Sequence, residues 1–143
     1  MIPMETLNTG RKTKVLIIED EPALRDIYST KLRIDGFEVV EAADGIEGFD
    51  VAIHHIPDII LLDVVLPIKD GFEVLKDLKA NPKTRDIPVV ILSNLGQGYE
   101  VKRGMALGAA AFLTKANLTP VQIVEEVRKV LGKLEKERGK ASA

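Results

Sequence analysis

Ile59-Ile60-Leu61-Leu62-Asp63 sets four apolar residues in a row, with no polar alternation, and closes them with a carboxylate. The same form recurs at Val15-Leu16-Ile17-Ile18, closed by Glu19-Asp20, and at Val89-Val90-Ile91-Leu92, closed by Ser93. Runs this short, unbroken and rich in β-branched residues read as strands buried on both faces. Two weaker runs, Phe37-Glu38-Val39-Val40 and Ala110-Ala111-Phe112-Leu113, complete a set of five. Helical patterns lie between them, so the order is βαβα: an α/β protein with a parallel sheet, right-handed crossovers and helices on both faces.

The helix boundaries are marked as well. Pro22 suits a first helical turn, Asp44 with Glu47 forms a capping-box pattern, and Thr119-Pro120 with Gln122 forms another. Gly36 stands where the first helix should stop. The last helix is expected from about Pro120 to about Glu137, with Val121, Val124, Val127, Val130 or Leu131, and Leu134 on the stripe that docks on the sheet. Residues 1–13 and 138–143 read as loose polar ends around one domain at 14–137.

At 143 residues the chain holds one hydrophobic core and not two ordinary domains. A content of 45% hydrophobic and 29% charged residues is that of a water-soluble globular protein, and no apolar run is long enough to cross a bilayer. The absence of cysteine excludes disulfides and thiolate metal sites. Met1 to Gly10 lacks the charged start and apolar centre of a signal peptide, so a cytoplasmic address and no membrane partner are expected. A net charge of −2, with basic residues scattered among acidic ones, disfavours direct nucleic-acid binding.

Reactive side chains stand at the C-terminal ends of the apolar runs: Glu19 and Asp20, Asp63, Ser93 and, after the fifth run, Lys115. In an open parallel α/β sheet these ends form the ligand crevice. Any one of them, Ser93 above all, would be unremarkable where a chain returns to solvent. Together, three carboxylates, a hydroxyl and an ammonium make an inventory for metal-assisted phosphoryl chemistry. Two like charges ~4 Å apart repel by roughly 4 kcal/mol at an effective dielectric near 20, so the acidic cluster calls for a cation. Mg²⁺ suits it, being a hard ion that takes carboxylate oxygens and keeps several waters. His54 and His55, just before Pro57, read as a solvated helix end rather than as metal ligands. The turn Glu19-Asp20-Glu21-Pro22 carries no glycine-rich phosphate loop and would repel a pyrophosphate.

From Lys14 to Leu134 the sequence resembles the receiver domains of two-component response regulators. The resemblance is carried by Val15 to Pro22, by Asp63-Val64-Val65-Leu66-Pro67 with Asp70-Gly71, by Ile91-Leu92-Ser93, and by Gly108-Ala109-Ala110 leading to Phe112 and Lys115. It implies a flavodoxin-like sheet of strand order 2-1-3-4-5 and a phosphoacceptor at Asp63. It also implies Mg²⁺ held by Glu19, Asp20, Asp63 and the carbonyl of Val65, with Ser93 and Lys115 contacting the phosphoryl oxygens. Phe112 takes the place of the aromatic switch residue, which alters the face made by the fourth helix, fifth strand and fifth helix. Having no hydroxyl, Phe112 can switch by packing only. The implied partners are a histidine kinase or phosphotransfer protein as donor and an unidentified protein as target, with a homodimer through the switching face as a further option.

The sequence departs from the family pattern in three places. Ala116 follows Lys115 where a proline is common, so no cis peptide is expected there. Asn94 follows Ser93 where a smaller residue is usual, which bears on donor access. Val65 and Leu95, both apolar, flank the acceptor where side chains influence the approach of water, so slow self-dephosphorylation is expected. A Mg²⁺-dependent phosphatase of the haloacid dehalogenase type is disfavoured, because Asp63 lacks the second aspartate of a D-x-D pattern. The chain is thus expected not to be an enzyme in the ordinary sense. The rival function is a docking scaffold on the same fold that works largely without phosphorylation.

Overall fold

The computed structural model describes residues 11–94 and 98–142. Strand β1 (Lys14–Ile18) leads to α1 (Pro22–Ile34), β2 (Glu38–Ala42) to α2 (Gly45–His55), and β3 (Ile59–Asp63) to α3 (Gly71–Ala80). Strand β4 (Val89–Ser93) leads to α4 (Gly98–Ala106), and β5 (Ala111–Thr114) passes through a single 3₁₀ turn (Lys115–Asn117) into α5 (Pro120–Ser142). All pairings are parallel, in the order β2-β1-β3-β4-β5. This is the flavodoxin-like arrangement that the family resemblance implies.

The unbroken apolar runs have a direct structural cause. Successive strand side chains point to opposite faces, and here both faces are covered. Leu16, Ile18, Ile60, Leu62, Val89 and Ile91 pack with Ala52 of α2 and Phe72, Val74, Leu75 and Leu78 of α3. Val15, Ile17, Ile59, Leu61, Val90 and Leu92 pack with Tyr28 and Leu32 of α1 and Ile123, Val124 and Val127 of α5. Every residue of β3 and β4 is buried, so a polar residue at either strand's C-terminal end is held by the whole sheet.

The expected helix signals act as local chemistry predicts. Pro22 opens α1. At its other end Gly36, at φ 96°, lets the Gly36 and Phe37 N–H groups donate to the carbonyls of Arg33 and Leu32, a Schellman closure. The Asp44 side chain accepts from Glu47 N–H at 2.8 Å while Glu47 accepts from Ala43 N–H at 2.7 Å. Thr119 and Gln122 exchange bonds of 2.9 and 3.2 Å.

Two expectations for α5 need correcting. Val121 is 51% exposed and Ile123 takes the buried place instead. Six residues of helix turn through about 600°, which leaves Val121 about 120° round from the buried Val127 and off the docking face. The helix also continues to Ser142, past Glu137, because Lys136, Glu137, Arg138 and Lys140 are good helix formers and no proline intervenes. At the other end Arg11 and Thr13 are tied to the domain, through Asp58 and the Glu38 N–H respectively. No described helix is long and apolar enough to cross a membrane.

Candidate functional site

Register brings the reactive residues to one edge. Ile18 pairs with Leu62, so Glu19 and Asp63 leave their strands side by side; Asp63 pairs with Leu92, and Ser93 pairs with Thr114, the residue before Lys115. Glu19 is 3% exposed, Asp63 6%, and Ser93 is fully buried, while Asp20 lies exposed at the rim. Carboxylate oxygens of Glu19, Asp20 and Asp63 all lie within 4.8 Å of one another.

The Lys115 ammonium reaches this cluster from the end of β5, the edge strand beside β4. Its Nζ donates to Asp63 Oδ2 at 2.8 Å and also to Glu19 Oε1. The Val65 N–H donates to Asp63 Oδ1 at 3.2 Å, so each oxygen of Asp63 has its own donor. Glu19 Oε2 accepts from the Glu21 N–H at 3.1 Å, and its main-chain carbonyl accepts from the Arg25 guanidinium at 2.7 Å. Nothing in the sequence marks Arg25, since one turn into a helix an arginine is common.

Burial pushes the Glu19 carboxyl up to about 6, with the nearby Asp63 charge adding to it and Lys115 and the Glu21 N–H opposing. Burial alone would lower Lys115, but hydrogen bonds to Asp63 and Glu19 carry it above its ordinary value. Tyr28, packed beneath, has its hydroxyl raised chiefly by burial. Three carboxylates around one ammonium leave the edge short of positive charge.

That donor set fits a hard divalent ion. All the donors are oxygens, and Mg²⁺–O bonds of ~2.1 Å would set neighbouring oxygens about 3 Å apart and opposite ones about 4 Å apart. Oxygens spread over 4.8 Å need only a small inward movement.

The other singled-out residues fall as follows. The Val65 side chain is 60% exposed on the loop after β3. Asn94 is exposed next to Ser93. Leu95 lies outside the described residues. Phe112 is half-buried in the β5 edge strand, where its ring packs beside Gly104 of α4. His54 and His55 are exposed at the end of α2, and His54 lies 3.4 Å from Asp50, one turn back. The described residues contain no cis peptide bond, so Lys115–Ala116 is trans. A cavity of about 510 Å³ lies at the opposite edge, lined by Asp58, Ile87, Pro88 and Leu131 among others, and holds none of the reactive residues.

A five-stranded parallel sheet in this order, with an acidic edge, a buried hydroxyl and an inserted lysine, is the build of a receiver-type signalling domain. The chain belongs to the response regulator receiver domain family, whose model matches residues 15–128. It is 43% identical over 102 residues to the DNA-binding dual master transcriptional regulator RpaA of Synechocystis sp., covering 71% of this chain and 42% of that protein. It is 35% identical over 125 residues to the phosphate regulon transcriptional regulatory protein PhoB of Escherichia coli, covering 85% of this chain and 52% of that one. The chain therefore spans about half the length of the curated relatives it matches. Among solved structures, the chemotaxis response regulator CheY4 of Vibrio cholerae superposes with a TM-score of 0.78 at 29% identity, covering 83% of this chain and 98% of that one.

Proposed function

We propose that this domain accepts a phosphoryl group on Asp63 from a phosphohistidine donor, a histidine kinase or phosphotransfer protein, in a Mg²⁺-dependent reaction. The observation that carries the reading is the placement of the Lys115 ammonium between Glu19 and Asp63. An ammonium bridging two buried carboxylates can turn toward an incoming phosphoryl oxygen without leaving its pocket.

In the transfer, an Asp63 oxygen forms a bond to phosphorus as the phosphorus–nitrogen bond of the donor breaks, and the leaving imidazole takes up a proton. Such transfers pass through a loose in-line transition state, so the protein's task is alignment and charge neutralisation. The Val65 N–H and Lys115 fix the plane of the Asp63 carboxylate. Lys115 and the Ser93 hydroxyl then serve the phosphoryl oxygens. Glu19, Asp20, Asp63 and the Val65 carbonyl would hold Mg²⁺, which supplies positive charge to the same oxygens.

Drawing Ser93 toward the phosphoryl group would open space for Phe112 and so remodel the face of α4, β5 and α5, where a downstream protein or a second copy docks. The side chains of Val65 and Leu95 carry no polar group to steer an attacking water, which favours a long-lived acyl phosphate. Replacing Val65 by Asn and Leu95 by Glu should shorten its lifetime several-fold, and an unchanged lifetime would remove them from this role.

Intact-protein mass spectrometry after incubation with acetyl phosphate or phosphoramidate tests the reading. A Mg²⁺-dependent phosphate adduct is expected, absent from Asp63→Ala. No adduct with either donor would favour the docking scaffold.

A further inference from the structure

Helix α4 is held unusually lightly. Gly104 is its one buried residue among those described, while Tyr99 and Met105 are 71% and 46% exposed. Gly104 earns its place by closeness, since a Cβ there would stand 2.8 Å from Ile91 and 3.1 Å from the Phe112 ring. Across to α3, α4 is joined by Arg103, whose guanidinium carbon lies 4.3 Å from the centroid of the Phe72 ring. At that distance a cation is drawn to the negative face of the ring, and the guanidinium also covers it from water. Phe72, under it, is 3% exposed.

Phe72 is not a neutral anchor. It follows Gly71, which is wedged against the phosphoacceptor: a Cβ on Gly71 would meet the Asp63 carbonyl oxygen at 2.2 Å and Val64 Cα at 2.7 Å. The Gly71 N–H also donates to the Val64 carbonyl at 2.8 Å. The backbone of Asp63 and Val64 therefore touches Gly71, the next residue is Phe72, and its ring carries Arg103 of α4. This route from the phosphoacceptor to α4 runs through α3 and uses neither Ser93 nor Phe112.

We infer that Arg103 is a positioning residue which, by stacking on Phe72, latches α4 in its resting place, and that phosphorylation at Asp63 releases the latch. The inference rests on the proposed receiver function. A contact made only in the resting state opposes activation, and by linkage its removal must tighten binding of anything that favours the active state. Arg103 is itself exposed, so its replacement opens no cavity and uncovers only one face of the Phe72 ring.

The test is titration of beryllofluoride, a phosphoryl mimic, with Mg²⁺ present, followed by the amide resonances of α4 in wild type, Arg103→Ala, Phe72→Leu and the double variant. Hydrogen exchange of the α4 amides is measured on the same four proteins without beryllofluoride. Arg103→Ala should lower the half-saturating concentration about two- to fivefold, as expected for one exposed cation–π contact. It should also speed exchange in α4 and not in β3, and both effects should vanish in the Phe72→Leu background. Unchanged half-saturation with unchanged exchange would overturn the latch, as would effects that persist without the Phe72 ring. If wild type binds no beryllofluoride, the receiver reading fails, and the exchange data still decide whether Arg103 holds α4.

Discussion

Where the strands begin, Asp58 accepts from two nitrogens of Arg11, each at 3.1 Å, and from the Lys14 N–H at 2.8 Å. Nearby, Lys79 donates to the carbonyls of Arg85 and Ile87 at 3.0 and 2.9 Å. Where the strands end, Glu19, Asp20 and Asp63 crowd together and Lys115 is shared between two of them. At the first edge these charged groups find their hydrogen-bond partners within the chain. The second is left with surplus negative charge in a place from which water is largely excluded, and its Glu19 carboxyl is pushed up to about 6 in consequence. An edge left with that charge has room for a cation from outside, which is what the proposed function requires of it.

Removing the lysine breaks this contrast most severely. In Lys115→Met, Glu19 and Asp63 would lie buried with no cation, and loss of one partner from a buried ionic cluster costs about 3 kcal/mol or more. Urea unfolding in chelator should show that loss, and millimolar Mg²⁺ should restore a large part of it by binding only the folded state. Asp58→Ala at the opposite edge should cost about 1 kcal/mol, because the side chains of Arg11 and Asp58 are 52% and 27% exposed. Mg²⁺ should give no rescue there. Equal responses to Mg²⁺ at the two edges would mean that the acidic cluster is not a cation site.

Two glycines repeat the contrast on a smaller scale. Gly71→Ala, with its Cβ driven into the backbone of Asp63 and Val64, should cost about 2 to 3 kcal/mol and reduce phosphoryl acceptance along with stability. Gly132 in α5 has nothing within 4 Å of the corresponding position. Gly132→Ala should therefore stabilise by up to about 1 kcal/mol, the helix propensity difference, and leave acceptance unchanged. Thermal unfolding and the phosphate adduct, measured together, separate the two.

The parts of this molecule legible in its sequence are those written in one-dimensional periods. Four-residue apolar runs gave β1, β3 and β4 because both faces of the sheet are covered, and the residues closing those runs gave Glu19, Asp63 and Ser93 because strand ends in a parallel sheet share one edge. Asp44, Gly36 and Thr119 were readable because caps act within four residues. The phase of α5 was not, since Val121 and Ile123 are both apolar and only the docked helix decides which of them faces the sheet. Nor could the sequence show the second partner of Lys115 or the stacking of Arg103 on Phe72. These depend on how residues far apart in the chain meet, and an arginine on an exposed helix face looks the same with or without a ring beneath it.

The finest test of the contrast lies in two strained isoleucines. Ile56 closes α2 with φ 43°, beside the cavity at the first edge, and Ile68 sits with φ 71° on the loop after β3 at the second. Both are β-branched in a region that disfavours such side chains by about 1 to 2 kcal/mol. Around Ile68 the Lys69 N–H donates to the Pro67 carbonyl at 2.8 Å, forming the rarer, strained kind of γ-turn. Its side chain, 75% exposed, recovers little of that cost by packing. The turn is pinned on its C-terminal side, by Lys69 against Gly45 and Asp77 and by Gly71 against Asp63. Ile68→Gly and Ile56→Gly should each stabilise by about 1 kcal/mol, read as a rise in Tm. If the pins alone set the site, Ile68→Gly will accept phosphoryl groups from acetyl phosphate at the wild-type rate. A slower rate in Ile68→Gly, with Ile56→Gly unaffected, would mean that the strain at the second edge is part of what holds Asp63 and Val65 in place.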